Sequence, residues 1–390
     1  CDFIYLSHNH PDHLNKFTLS KVRKDMLFLI PNFPSDSVGK FLKYLGFKKI
    51  FRAEFCKEYI FKNTNLILSL FKSGDFRDDS GIYFSIGGFT CLFDVDSNSI
   101  NFLRLPKVDL YATSFAGGAT GFPLMFNDFS LKNKIAILDK QKRFIKNTKN
   151  KILNLINPKY FLPYAGFFSE NLNRDKFIKK NNKKNKISDY SKICNIINCD
   201  LLNVEEKDEF YFKNAKLYKS KKIKKSYYKD MSPTQYLAIF KSSFKKIDKK
   251  YIERYFLESG FKDNLILIVS LTDDNFRNIQ LEFIIDFSKP KTKFQYSKNF
   301  KIQKITKEKD KKYLHIKCRK ESFLHTIYNK EPWEDLSIGF QCKIDRYPNE
   351  YNVKFWYYFT NKYITNKNIR FSSECYNCDF LNQFLGKELH

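Results

Sequence analysis

The chain has 390 residues and a mass of 46.6 kDa, room for two or three domains. Apolar residues make up 43%, which excludes wholesale disorder, and the longest apolar runs, at 65–71 and 264–271, fall far short of the ~18 residues that a membrane span requires. The formal net charge is +28, but only 11 of the 70 basic residues are Arg. The joint abundance of Lys, Asn, Ile, Phe and Tyr marks an A/T-rich coding sequence, so codon bias rather than nucleic-acid binding accounts for the charge, and no nucleic-acid partner is expected.

In chain order, Phe3–Ser7 reads as a buried strand and is followed at once by a His-rich turn. A helix is expected over Leu14–Lys24, a strand over Met26–Ile30, and a second helix over Ser37–Leu45, closed by Gly46. Short β-rich runs follow at Asn65–Phe71, Ile82–Ile86, Thr90–Val95 and Val108–Thr113. Lys142–Ile156 reads as a helix ended by Asn157-Pro158, and Tyr160–Pro163 as another strand. The alternation predicts an α/β unit over residues 1–215, with a Lys/Asn-rich exposed insertion at Arg174–Lys186.

A Lys-rich linker is expected at 216–231, and an α+β C-terminal domain at 232–390. That domain opens on Ser232-Pro233-Thr234-Gln235, a helix-start signature. Phe240, Phe244, Ile247, Tyr251 and Tyr255 then form one apolar stripe running towards Gly260. Strands are expected at Leu265–Leu271, Ile279–Phe287, Phe294–Ser297 and Tyr313–Cys318, and short helices near Ser322–Asn329 and Tyr351–Phe359. Trp333, Phe340, Tyr347 and Trp356 read as core aromatics, and His315 and His325 as structural.

Nine cysteines are scattered along the chain. An odd number in a long chain points to free thiols in a reducing compartment, hence a cytoplasmic protein without membrane insertion. The lone Cys375-Tyr-Asn-Cys378 reads as surface thiols rather than a zinc site.

His8-Asn9-His10-Pro11-Asp12-His13 carries the strongest chemical signal, with three of the six histidines inside six residues. In an extended segment His8 and His10 point the same way, and Pro11 turns the chain so that Asp12 and His13 return to the same point. Imidazole and carboxylate suit zinc or iron better than calcium or magnesium.

This string resembles the metallo-β-lactamase fold, which implies an αββα sandwich over roughly residues 1–215 with metal at one edge of its sheets. The family's further histidines have no counterpart, since no His lies between His13 and His315. Its bridging acid corresponds to Asp94, with Asp96 second. The resemblance thus implies one metal held by His8, His10 and His13 with Asp12 or Asp94 helping, and Asp12 as the catalytic residue.

Four longer strings are similar to the CMP-N-acetylneuraminate hydroxylase family. They are Asp75-Phe-Arg-Asp-Asp-Ser80-Gly81, Ser114-Phe-Ala-Gly-Gly-Ala-Thr-Gly-Phe-Pro123, Leu162-Pro-Tyr-Ala-Gly-Phe-Phe168 and Pro332-Trp-Glu-Asp-Leu-Ser-Ile-Gly-Phe340, the last continuing to Arg346-Tyr-Pro and Phe355-Trp356. This resemblance implies a mononuclear iron, with zinc the alternative, and a nucleotide-sugar substrate. It also implies an electron donor such as cytochrome b5 or a ferredoxin with its reductase. The family carries an N-terminal Rieske [2Fe-2S] domain. This chain contains no Cys-x-His string, so that cluster is expected only in a segment before Cys1. Gly117, Gly118 and Gly121 read as a phosphate nest, and Arg77 and Arg104 as clamps on the substrate's anions. The rival readings are a metallo-β-lactamase-fold hydrolase of an ester, lactone or phosphodiester, and a non-enzymatic basic binding protein.

Overall fold

The computed structural model describes residues 2–62, 64–74, 77–166, 168–204, 208–214, 216–220, 231–297 and 311–360. Cys1, most of the expected linker, and the Cys375/Cys378 pair lie outside the described residues.

The N-terminal unit contains two sheets. Strands β1 (Phe3–Tyr5), β2 (Leu27–Pro31) and β3 (Ile50–Ala53) pair in parallel, linked by helices α1 (Lys16–Ser20) and α2 (Ser37–Tyr44). The second sheet has seven strands: β4 (Tyr59–Phe61), β5 (Leu66–Lys72), β6 (Ser80–Ile86), β7 (Phe89–Phe93), β8 (Leu110–Thr113), β9 (Tyr160–Pro163) and β10 (Asp200–Leu201). Its first four strands are antiparallel and its last four parallel, sharing β7. Helices α3 (Leu131–Ile156), α4 (Lys176–Asn181) and α5 (Ser191–Ile196) complete the unit, and a hairpin of β11 (Phe210–Lys213) and β12 (Lys216–Lys219) follows it.

Three cores stack these elements into α/β/β/α layers. Leu19, Val38, Phe41 and Leu42 of α1 and α2 pack on Phe28 and Ile30 of β2. On the other face of that sheet, Leu29 and Ala53 meet Leu68, Leu70 and Ile82 of the second sheet. Beyond it, Leu92, Tyr111 and Phe161 pack under Ile152, Leu153 and Ile156 of α3. The alternation of buried residues between the two faces of β2 is what lets one strand serve two cores.

The C-terminal unit has helices α6 (Pro233–Ser243) and α7 (Lys249–Leu257), then strands β13 (Leu265–Thr272), β14 (Ile279–Asp286), β15 (Lys293–Ser297) and β16 (Lys312–Arg319). Helices α8 (Lys320–Asn329) and α9 (Glu334–Ser337), strand β17 (Cys342–Tyr347) and helix α10 (Val353–Thr360) close it. The sheet order is β15-β14-β13-β16-β17, antiparallel except for β13 and β16. Its core is aromatic: Tyr255, Phe256, Phe261, Phe283, Phe287, Trp333, Phe355 and Phe359.

Several sequence readings change. The first helix is only five residues long. The helix expected from Lys142 starts eleven residues earlier, at Leu131, where Ser130 caps it by accepting from the Asn133 N–H. Its Lys-rich first turns disguised Ile135 and Leu138, which pack with Leu124, Met125 and Phe340. The stripe from Phe240 to Tyr255 is two helices rather than one, because Asp248 caps a new start at α7 by accepting from the Tyr251 N–H. Lys216–Lys219, placed in the linker, forms β12. Trp333, Phe340 and Trp356 are buried, but Tyr347 is half exposed.

The two units interlock. The Phe126 backbone bridges to Ile344 of β17, with Asn127 N–H donating to Ile344 O at 2.9 Å and Ile344 N–H to Met125 O at 2.9 Å. Nearby, Gly339 N–H donates to Ala119 O at 3.1 Å. Arg319, buried on β16, reaches back to the Asp175 carboxylate at 2.9 Å.

Candidate metal centre

One edge of the N-terminal sandwich collects several chain ends. β1 runs out into the His-rich turn, β7 ends at Phe93 just before Asp94–Asp96, and Asp79 immediately precedes β6. The turn folds as its sequence dictates. Leu6 N–H still pairs with Leu29 O at 3.1 Å, so the strand direction persists into Ser7 and His8. The N–H groups of His13 and Leu14 then both donate to His10 O, at 2.9 and 2.7 Å, closing a tight turn around Pro11 and Asp12. His8 and His10 are buried, while the Asp12 side chain is exposed.

The imidazole nitrogens converge. His8 Nε2 lies 2.9 Å from His10 Nδ1. Asp96 Oδ2 is 3.8 Å from His8 Nε2 and 3.4 Å from His13 Nε2, and Asp12 Oδ2 is 3.6 Å from His13 Nε2. Ligand atoms held at ~2.1 Å from one zinc or iron ion are spaced by about 3.0–3.4 Å, and these separations bracket that range. His8, Asp12 and His13 form one ligand group, and His8, His10 and Asp79 another.

The outer nitrogens fix the tautomers. His10 Nε2 lies 2.8 Å from Glu334 Oε2, at the start of α9. An ionised carboxylate only accepts, so Nε2 carries the hydrogen and donates it. His8 Nδ1 lies 2.9 Å from Ser7 Oγ, which can accept its hydrogen, and 3.7 Å from Asp79 Oδ1, whose negative charge favours a hydrogen on that nitrogen. What remains is His8 Nε2 and His10 Nδ1 facing each other with one gap between them, to be filled by a proton or a metal ion.

The electrostatics agree. Burial, then the neighbouring His10 and His13, hold His8 well below the ordinary imidazole range. Burial also opposes the charge on His10, but the Glu334 hydrogen bond and carboxylate outweigh it and push His10 up to about 9. For Asp96, burial is outweighed by the His13 hydrogen bond and the charges of His8, His13 and Arg77, which keep the carboxylate ionised. Glu334 is likewise held below its usual range, the His10 hydrogen bond overcoming burial.

Asp94, expected as a ligand, faces elsewhere. It is fully buried, and its Oδ2 accepts from Tyr111 Oη at 2.5 Å and Lys149 Nζ at 2.9 Å. Like Asp96 it belongs to neither ligand group, but unlike Asp96 it makes no ion pair with the histidines among the described residues. The alternation that would have put Asp94 and Asp96 on one side fails because Val95 takes a left-handed conformation, φ 52°. That is costly for a β-branched residue and turns Asp96 alone towards the histidines.

Arg77 lies at the centre, but as a brace. It donates to Asp96 O at 2.9 Å and pairs with Asp79 Oδ2 at 3.1 Å. Arg104 is exposed after the turn Ile100–Leu103, with no hydrogen bond or ion pair to the centre among the described residues. Gly117 and Gly118 have positive φ, 68° and 77°. Gly118 O accepts from Asn182 Nδ2 at 2.8 Å, and a Cβ at Gly121 would lie 2.7 Å from Ser337 O. Gly117 and Gly118 thus pack within the N-terminal unit, and Gly121 packs against the C-terminal one. Glu334 was missed altogether: its only sequence signal was its place beside Trp333 in the Pro332–Phe340 string.

No family model matches the chain. Among curated proteins, 388 residues are 28% identical to the cytidine monophosphate-N-acetylneuraminic acid hydroxylase of Pongo pygmaeus, covering 93% of this chain and 64% of that protein. The chain is similar to the CMP-N-acetylneuraminic acid hydroxylases. The hydroxylase of Sus scrofa is 27% identical, with 93% of this chain and 86% of that protein covered. The human relative, 28% identical and 74% covered, bears the name of an inactive hydroxylase. The chain thus spans a little under two thirds of the Pongo pygmaeus hydroxylase. Among solved structures, CmlA, a diiron β-hydroxylase from Streptomyces venezuelae, is 16% identical at a TM-score of 0.32, covering 46% of this chain and 41% of that one. The metallo-β-lactamase fold protein YhfI from Bacillus subtilis is 14% identical at a TM-score of 0.28, covering 46% and 72%. Among the described residues, no helix is long and apolar enough to cross a membrane.

Proposed function

We propose that this chain carries the oxygen-activating centre of an iron-dependent hydroxylase acting on the N-acetyl methyl group of CMP-N-acetylneuraminic acid. The observation that carries the reading is the gathering of His8, His10 and His13 at one sheet edge, with His8 Nε2 2.9 Å from His10 Nδ1 and Asp96 Oδ2 3.8 and 3.4 Å from His8 Nε2 and His13 Nε2. The similarity of 93% of the chain to hydroxylases of that nucleotide sugar supports it. Three imidazoles with a carboxylate form a donor set suited to non-haem iron. His8 is common to both ligand groups, and its Nδ1 is taken by Ser7, so a single ion fits better than two.

Bound iron would supply the redox chemistry that couples reduction of O2 to oxidation of a C–H bond. The balance is R–CH3 + O2 + 2e⁻ + 2H⁺ → R–CH2OH + H2O, with both electrons from a donor such as cytochrome b5 or a ferredoxin. The protein's residues supply the rest. Ser7, Asp79 and Glu334 hold the ligand tautomers, and Arg77 ties the Asp79 and Asp96 segments together. Asp12, on the solvent side of His13, is placed to exchange protons with water. The surplus of positive charge favours approach of a substrate bearing a phosphate and a carboxylate.

The test is a single turnover. The chain is loaded with ferrous iron without air, mixed with CMP-N-acetylneuraminic acid and a chemical reductant, and exposed to isotopically heavy O2. Mass spectrometry should find the heavy oxygen in an N-glycolyl product. Cleavage products carrying oxygen only from water would overturn the reading in favour of a hydrolase.

A further inference from the structure

The residue that completes the histidine cluster comes from the other unit. Glu334 is separated from His10 by 324 positions, yet its Oε2 sits 2.8 Å from His10 Nε2. The carboxylate is held there by the C-terminal fold. Trp333, fully buried, donates its Nε1–H to Tyr255 Oη at 2.7 Å and so anchors the residue before it. Glu334 N–H donates to Thr360 Oγ1 at 3.3 Å, and Tyr351 Oη donates to Glu334 Oε1 at 3.4 Å. From the motif side, Asn9 Nδ2 donates to Thr360 O at 3.2 Å. The same short turn is therefore gripped at two successive residues by α9 and by the end of α10.

A carboxylate on the outer nitrogen of a metal-binding imidazole fixes which nitrogen carries the hydrogen, locks the ring and makes the inner nitrogen a better ligand. Without that acceptor, a neutral His10 is free to carry its hydrogen on Nδ1, which points at His8 and would block the shared position. We infer that Glu334 is a positioning residue of the metal centre, presenting His10 Nδ1 as a ligand, so that the metal site of the N-terminal unit is completed by the C-terminal unit. The inference rests on the proposed metal centre.

The experiment compares the chain with its Glu334→Ala, Glu334→Gln and Tyr351→Phe variants, using Co²⁺ as a spectroscopic probe and Fe²⁺ as the second ion. Metal affinity, the Co²⁺ d–d absorption and the melting temperature of the metal-free protein are read for each. Removing an outer carboxylate costs about 10–100-fold in metal affinity, so Glu334→Ala should lose that much and change the Co²⁺ spectrum while the metal-free protein still melts cooperatively. Glu334→Gln keeps an acceptor oxygen and should recover most of the affinity. Tyr351→Phe, which leaves the His10 contact in place, should weaken binding only a few fold. Unchanged affinity and spectrum in Glu334→Ala would overturn the inference while leaving the metal centre standing. So would Glu334→Gln binding no better than Ala. If Glu334→Ala does not fold, the Gln and Phe variants decide alone, and equal loss of metal and of melting temperature in both would make Glu334 a plain structural tie. Failure of the unaltered chain to bind either ion would overturn the metal centre itself.

Discussion

His10 uses both ring nitrogens, one towards Glu334 and one towards His8. Replacing it with Ala removes a proposed ligand atom and the contact to the C-terminal unit together. His10→Ala should cost more than about 100-fold in metal retention, since loss of an outer partner alone costs up to that. Elemental analysis after dialysis checks this, and near-ultraviolet circular dichroism should show the aromatic C-terminal core still packed. Glu331 behaves differently. Burial pushes its carboxyl up to about 7, with Lys16 pulling the other way. An acid whose folded pKa is raised binds its proton more tightly folded than unfolded. Its contribution is therefore intact below about pH 4.5 and is lost as pH rises through about 7. Glu331→Gln should flatten that loss, making the protein about 1–3 kcal/mol more stable than the parent at pH 8 while matching it near pH 4. Urea titrations at the two pH values provide the comparison.

Among the elements, the turn after β1 was readable because its signal is local: two histidines in extended register, a proline, then an acid and a third histidine. Its carboxylate partners were not. Asp94 and Asp96 differ by two residues, and the left-handed Val95 between them turns Asp96 towards the histidines; the family resemblance had put Asp94 first. The α/β alternation was legible because β-rich runs and amphipathic segments alternate, and its layering came from the family resemblance, whereas α3 was half missed where Lys132 and Lys134 interrupt its first turns. The glycine-rich segment before Pro123 shows the same ambiguity. Glycine serves a phosphate nest and a close backbone approach equally well, and here Gly121 runs against the Ser337 carbonyl of α9. Because main-chain oxygen cannot rotate away, Gly121→Ala should destabilise the fold by about 1–3 kcal/mol. Denaturant melts would register that loss, and an unchanged midpoint would show that the two segments part easily.

For the whole molecule, the sequence divided the chain into units near residue 216, and nothing local revealed that they share a site. The contacts of Glu334 with His10, Tyr357 Oη with Asp78 at 3.3 Å, and Thr360 with Asn9 connect positions hundreds of residues apart, beyond the reach of periodicity or spacing. Charge operates at this scale too. With +28 overall and few arginines, the protein should adhere weakly to DNA at low salt and release it near ~0.15 M salt, without sequence preference. A gel-shift series over ionic strength would show it, and retention of one sequence at physiological salt would contradict it.

The grip of Thr360 on Asn9 has a further consequence, for which changes of length the chain can absorb. The acceptor is a main-chain carbonyl, so that bond does not read the side chain at 360. What it reads is distance along the chain. The stretch from Glu334 to Thr360 is tied at both ends to neighbouring residues of one turn, and α10 delivers its end at a fixed angle. Each residue added to or removed from α10 rotates Thr360 by about 100° around the helix axis, carrying it off Asn9. The exposed Asn349–Glu350 turn between β17 and α10 can lengthen outward without moving either anchor. Point changes along this stretch are thus constrained by the core they pack in, while insertions and deletions are constrained by a histidine turn at the other end of the sequence.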